Sequence, residues 1–255
     1  DGLRHVLFFS ILMALVITTA FVVLRHVPIG YIFLIPFAWV PIITRVFYDS
    51  RTAIFIHLIT VLIVSIAAPA PYIFILLQVI TGVIAVISLR DMTQRAQLAQ
   101  TALFILLMYS VLYTATTMLV TGSIMNVEYR YYLYFAINAV LVICAYGLIF
   151  LFERTFGLVS NITLVELTNV NSNLMLEFAE KAPGTFQHSL QVSNLATEAA
   201  KRIGAKVLLV RTGALYHDLG KMVHPECFIE NQTGVNPLQS MSYADAAKVI
   251  ISHVE

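Results

Sequence analysis

Charge is scarce in this sequence. Charged side chains make up 11% of its 255 residues, about half the share of an average soluble domain. Residues 1–152 hold 11 of the 29 Asp, Glu, Lys and Arg side chains, and no lysine occurs before Lys181. The formal net charge of +1 provides no basic field for DNA or RNA, so we expect neither as a partner. The composition changes near Glu153 and divides an apolar part of the chain from a polar part.

Cysteine is scarce too. The chain has two, Cys144 in an apolar stretch and Cys227 in a polar one. Two cysteines in such different surroundings form no disulfide framework, which favours a reducing compartment. No secretory signal peptide is recognisable, and because the first residue is Asp1 rather than Met, we expect the chain to be part of a longer protein.

Long apolar stretches dominate the first part of the chain. There are six of them, over residues 6–24, 29–44, 52–68, 72–89, 101–120 and 131–152. A membrane-spanning helix needs about 20 apolar residues, with roughly 17 to 25 tolerated. We therefore predict a transmembrane helical bundle of six spans over residues 1–152, with the lipid bilayer as a partner. Pro36 and Pro41 predict that the short second stretch is kinked, with neighbouring helices covering its freed carbonyls, or is re-entrant.

The arginines indicate an orientation for this bundle. Arg45 and Arg51 follow the second stretch, Arg90 and Arg95 follow the fourth, and the connection at 69–71 between them has no charge. Because basic residues are enriched in cytoplasmic loops, the arginine-bearing connections are predicted to face the cytoplasm. Six crossings then place both chain ends on that side.

The polar part of the chain shows helical spacing and no alternating strand pattern, so the whole chain is predicted to be all-α. We predict a linker helix over residues 153–181, although its many asparagines favour a break. A separate domain is predicted over 182–255. Its helices are expected over residues 185–203, 207–217 and 243–252, with Thr185 as the cap of the first.

One short motif carries the chemistry. His217 and Asp218 are adjacent, His188 lies 29 residues before His217, and His253 lies 36 residues after it. Imidazole and carboxylate donors suit manganese, iron or zinc, and the lack of nearby thiolates disfavours a structural zinc site. Asp218 is able to bridge two metals, which would hold a hydroxide and a phosphoryl oxygen for phosphoester hydrolysis. Lys221, one turn further on, is either a phosphate-binding or protonating group or a structural ion-pair partner.

The motif and its surroundings resemble a known family. The resemblance rests on the segments APGTFQHS at 182–189, YHDLGK at 216–221, CFIENQ at 227–232 and IISHV at 250–254. The histidine-aspartate pair is similar to that of the HD superfamily of metal-dependent phosphohydrolases. The longer series is similar to the bacterial seven-transmembrane HD family, whose known enzymes are cyclic di-AMP phosphodiesterases. Phe186 stands where that family often has Tyr.

The resemblance implies an activity and a site. It implies a cytoplasmic HD domain, in a bacterial inner or plasma membrane protein, that hydrolyses cyclic di-AMP to linear pApA with two divalent metals, manganese or iron. By the same resemblance, His188, His217, Asp218 and His253 are metal ligands. We predict Asp218 and Lys221 as the catalytic residues, Lys221 because it lies one turn past Asp218. The family's remaining ligands are expected beyond residue 255, so this chain is expected to hold only the first half of the HD domain and to be inactive alone.

Two other classes of function compete with the enzyme. A non-catalytic membrane receptor would use the HD domain to bind nucleotide or a partner protein and relay a signal. A transporter is disfavoured because the spans lack paired charges. His57, about one turn into the third stretch, is interpreted as an interfacial residue rather than as part of a transport path. The oligomeric state stays open, with a homodimer as one option.

Overall fold

The chain is helical throughout the part that the structure describes. The computed structural model describes residues 2–89, 94 and 96–254, apart from the side chain of Ile29, and contains no strand within them. The all-α prediction is confirmed. Arg90 and Arg95, which carry part of the predicted orientation, lie outside the described residues. The chain separates into two compact units, Asp1–Ser160 and Asn161–Glu255.

The described part of the first unit contains seven α-helices. They are α1 (Gly2–His26), α2 (Trp39–Phe47), α3 (Ser50–Ser65), α4 (Pro71–Ser88), α5 (Ala96–Thr121), α6 (Arg130–Ile143) and α7 (Ala145–Phe156). By length and composition, five described segments are able to cross a membrane, and the last of them, Arg130–Phe156, comprises α6 and α7. Helix α3 is apolar but only 16 residues long, just below the usual spanning length of about 17 residues. The count of six crossings therefore stays a prediction.

The second apolar stretch is broken at a proline. A 3-10 turn over Ile29–Leu34 ends before Pro36, and α2 begins after it. The break leaves main-chain carbonyls without helical partners, which is costly in an apolar environment. The Asn138 side chain on α6 donates to the carbonyls of Phe33 and Ile35, at 2.9 and 2.8 Å. The structure thus has the predicted kink, and a neighbouring helix covers the freed carbonyls.

His57 is buried inside the first unit. Its side chain lies between α3 and α4, where Nε2 is 2.9 Å from the carbonyl oxygen of Gln78. Gly82 makes this approach possible, because an added Cβ would lie 2.1 Å from the same imidazole nitrogen. Tyr109 on α5 donates to the Gln78 side chain at 2.6 Å. These polar groups connect three apolar helices, and the interfacial depth suggested for His57 stays a prediction.

The second unit contains five α-helices among its described residues. They are α8 (Asn161–Leu167), α9 (Asn173–Lys181), α10 (Pro183–Ile203), α11 (Val207–Tyr216) and α12 (Tyr243–Ile251). Helix α10 ends at Gly204, whose φ of 68° suits glycine at this position. Short 3-10 turns follow α11 and α12 and carry the motif residues.

The segment predicted as a linker helix, 153–181, differs from a single helix in the structure. Helices α8 and α9 are separated by an asparagine-rich turn, and Ser172 caps α9 by accepting from the backbone N–H of Met175. Met175 and Phe178 are buried in the hydrophobic core of the second unit. Local side-chain bonding at the turn competes with helix formation, and the apolar face of α9 joins the compact unit.

The start of α10 also differs from the prediction. The helix begins at Pro183, since proline lacks the N–H that a first helical residue leaves unused and has a suitable φ. Thr185 therefore lies inside the first turn rather than at the cap. Its backbone N–H and its hydroxyl bond to Asn231 and Glu230, outside the helix.

Candidate metal centre

The packing of α10 on α11 brings three predicted ligands together. His188 lies in the second turn of α10, His217 follows the last residue of α11, and Asp218 begins the next turn. One donor atom from each of these three residues lies within 4.8 Å of the other two. The histidines are exposed, whereas the Asp218 side chain is buried.

His217 and His253 present their Nε2 atoms to different oxygens of Asp218. Nε2 of His217 is 3.2 Å from Oδ2, and Nε2 of His253 is 3.7 Å from Oδ1. The Nδ1 atoms lie against the carbonyl oxygens of Ala214 and Ile250. A carbonyl only accepts, so each Nδ1 carries a proton, and in the neutral imidazole Nε2 then has the lone pair that a metal requires.

Lys221 lies at the same carboxylate. Its ammonium is 2.9 Å from Asp218 Oδ2 and 2.9 Å from Glu230 Oε1, and it lies 4.9 Å from the centre of the Phe228 ring. Burial lowers the pKa of Lys221, but the hydrogen bonds to Glu230 and Asp218 outweigh burial and raise it. Burial likewise raises the pKa of Glu230, yet the bond from Lys221 and others bring it below its ordinary value. Both groups are therefore charged at neutral pH.

A glycine lets the two motif-bearing turns touch. The turn Leu219–Met222 packs on the turn Ser252–Val254. A Cβ added to Gly220 would lie 2.0 Å from the carbonyl oxygen of His253. Gly220 therefore lets two segments approach closely. This role is in addition to the tight local turn that the sequence indicates.

The site contains two further polar partners, Glu230 and Asn231. Glu230 binds Lys221, and Asn231 accepts from the backbone N–H of Thr185 at 3.0 Å. From sequence, both residues either shape the substrate site or close a loop, and the structural role is slightly favoured. Both residues lie in the segment CFIENQ at 227–232, which resembles the known family, and this resemblance is the sequence signal for them.

The donor set fits a divalent metal. Two imidazoles and one carboxylate, close together, are ligands that manganese, iron and zinc accept. No cysteine thiolate belongs to this group of donors. An apolar helical unit together with a polar helical unit that has a His-His-Asp cluster identifies the class of the chain as a membrane protein with a candidate metal-binding domain.

Comparison with known proteins gives the family. The family model described as "7TM receptor with intracellular HD hydrolase" matches residues 2–160, and the HD domain model matches residues 185–254. The chain belongs to this seven-transmembrane HD family.

Three relatives illustrate the similarity. The cyclic-di-AMP phosphodiesterase PgpH of Listeria monocytogenes is 34% identical over 88% of this chain and 32% of its own length. The Bacillus subtilis protein of the same name is 31% identical over 96% of this chain and 37% of its own length. An uncharacterized protein of Synechocystis sp. is 55% identical over 32% of this chain and 10% of its own length. The chain thus spans about a third of the first two relatives. No solved structure matches it significantly.

Proposed function

We propose that the whole protein is a membrane-anchored, metal-dependent phosphodiesterase that hydrolyses cyclic di-AMP to linear pApA. The observation that carries the proposal is the cluster of His188, His217 and Asp218 donors within 4.8 Å, with the Lys221 ammonium on the same carboxylate. The names of the two phosphodiesterase relatives support the choice of substrate. The chemistry of the described residues supports phosphoester hydrolysis but does not select the base of the nucleotide.

The residues divide into metal ligands and a phosphate-binding group. His188, His217 and one oxygen of Asp218 would hold one metal, and His253 with the other oxygen of Asp218 would contribute to a second. When bound, manganese or iron would supply Lewis acidity and would favour the deprotonation of a water molecule as the nucleophile. Lys221 would either hydrogen bond a phosphate oxygen or protonate the leaving oxygen.

Turnover by the protein expressed from its complete gene tests this function. Purified in detergent and loaded with manganese, it is expected to convert cyclic di-AMP to pApA. Asp218→Ala is expected to lose metal, measured by mass spectrometry, together with about 100-fold or more of the activity. Asp245→Ala changes an exposed aspartate on α12 and is the matched control. Protein that holds metal but produces no pApA would refute the enzyme and favour the receptor.

We propose further that the HD domain faces the cytoplasm, because Arg45 and Arg51 mark one side of the bundle. Labelling of single cysteines tests this orientation together with the span count. The cysteines replace Ser50, Ala70 or Gln94, one at a time, in a protein that also carries Cys144→Ala and Cys227→Ala. Ala70→Cys is expected to react with an impermeant maleimide on spheroplasts, and the other two only after lysis. Equal labelling at positions 50 and 70 would show that α3 does not cross the membrane. Labelling of positions 50 and 94, but not 70, on spheroplasts would refute the orientation.

A further inference from the structure

We infer that Glu230 is a positioning residue for the proposed phosphodiesterase, acting through Lys221. The Glu230 carboxylate holds the Lys221 ammonium beside Asp218 with one of its N–H groups directed toward the substrate phosphate. This inference rests on the proposed function. It assigns a role to a residue that neither the motif nor the predicted ligand set includes.

The hydrogen bonds of the Lys221 ammonium can be counted. A lysine ammonium donates three hydrogen bonds, and among the described residues two of them go to Asp218 Oδ2 and Glu230 Oε1, both at 2.9 Å. The Phe228 ring covers another side at 4.9 Å. The lysine side chain is only 15% exposed, so its position is constrained on several sides. One N–H is left for a phosphate oxygen.

Glu230 matters because Asp218 alone does not determine where the ammonium lies. A single contact to a metal-bridging carboxylate leaves a flexible lysine free to rotate about that contact, whereas two anchors restrict it. In addition, metal ions compete with Lys221 for the oxygens of Asp218. Glu230 lies outside the ligand cluster, so it keeps its hold on Lys221 when Asp218 binds metal.

Glu230 itself is held by the start of α10. The Thr185 hydroxyl donates to Glu230 Oε1 at 2.9 Å, and the Asn231 amide donates to the Thr185 hydroxyl at 2.7 Å. The backbones also touch, since a Cβ on Gly184 would lie 1.8 Å from the carbonyl oxygen of Glu230. The helix that carries His188 is therefore connected to Lys221 through Thr185 and Glu230.

A double-mutant cycle on the complete, manganese-loaded protein tests the inference. Glu230→Gln keeps the shape but removes the charge, so kcat/KM for cyclic di-AMP is expected to fall about tenfold. Lys221→Met is expected to cost about 100-fold. Because Glu230 acts through Lys221, the double variant is expected to be no worse than Lys221→Met alone. Metal content and thermal unfolding are expected to stay at wild-type values.

Each other outcome has a definite meaning. Losses that multiply to about 1000-fold in the double variant would overturn the inference while leaving the proposed function intact. Loss of metal from Glu230→Gln would also overturn it, since the residue would then support the ligands instead. Wild-type protein that binds manganese without turnover would refute the proposed function and the inference with it. Glu226→Gln, which changes an exposed glutamate four residues before Glu230, is the matched control and should keep full activity. Thr185→Val replaces Glu230→Gln in the cycle if the latter does not fold.

Discussion

Replacing Gly220 with alanine tests the contact between the two motif-bearing turns. The added Cβ would lie 2.0 Å from the carbonyl oxygen of His253 and 2.8 Å from its carbonyl carbon. Ordinary contact begins at 3.4 Å, so the turns must separate by about 1.4 Å. Both obstructing atoms are backbone atoms and have no rotamer to change. The separation would therefore move the whole His253 residue away from Asp218.

The cost follows from this displacement. Nε2 of His253 is 3.7 Å from Asp218 Oδ1, and a shift of more than 1 Å would remove the imidazole from a shared metal. Misplacement by 1 Å at a reacting centre costs about 100-fold in rate. We expect Gly220→Ala to lose about 100-fold in cyclic di-AMP turnover and about half of the bound manganese, because His188 and His217 are on other segments. Overpacking of this kind also costs about 1–3 kcal/mol of folding stability.

Gly213→Ala is the matched control for this substitution. Gly213 lies on α11, close in sequence to the motif, and an added Cβ would meet nothing within 4 Å. Alanine inside a helix is favoured over glycine by about 0.5–1 kcal/mol, so this variant should be at least as stable as wild type and fully active. Wild-type turnover and manganese content in Gly220→Ala would contradict the close contact of the two turns.

Two predictions concern the first unit. Gly82→Ala would place a Cβ 2.1 Å from Nε2 of His57 and is expected to lower the free energy of unfolding in detergent by about 1–3 kcal/mol. Gly147→Ala, the control, has open space around the added Cβ and should not lower it. Equal free energies of unfolding for the two variants would contradict the α3–α4 contact. Asn138→Leu removes the hydrogen-bond donor to two carbonyls at the helix break, including that of Ile35. The free energy of unfolding should fall by about 1–2 kcal/mol. An unchanged unfolding curve would show that these carbonyls find other donors.

The sequence predicts local features of the bundle well and long-range ones poorly. The break at Pro36 follows from the missing N–H of proline, which is a local property. The group that compensates the break, Asn138, is 103 residues from Ile35, and nothing in the sequence pairs them. The contact of His57 is likewise invisible in the sequence, because its partner, Gln78, is 21 residues away on another helix.

In the candidate site, too, the sequence predicts the local features and misses the long-range contacts. His217, Asp218 and Lys221 are within one turn of each other, so their shared chemistry is visible in the motif. The bond from Thr185 to Glu230 joins residues 45 apart, and it depends on where α10 begins. A helix starting at Thr185 would use that hydroxyl as a cap; a start at Pro183 releases it for Glu230.

The ends of two helices explain why the ligands occur where they do. The last turn of a helix leaves carbonyl groups without helical partners. His217 follows α11 and His253 follows α12, and each Nδ1 bonds a carbonyl three residues earlier, that of Ala214 or Ile250. The same unsatisfied carbonyl that ends each helix therefore sets the imidazole tautomer and directs Nε2 toward Asp218. It follows that inserting one residue before either histidine should abolish metal binding without removing any ligand, because the imidazole would lose its orienting carbonyl.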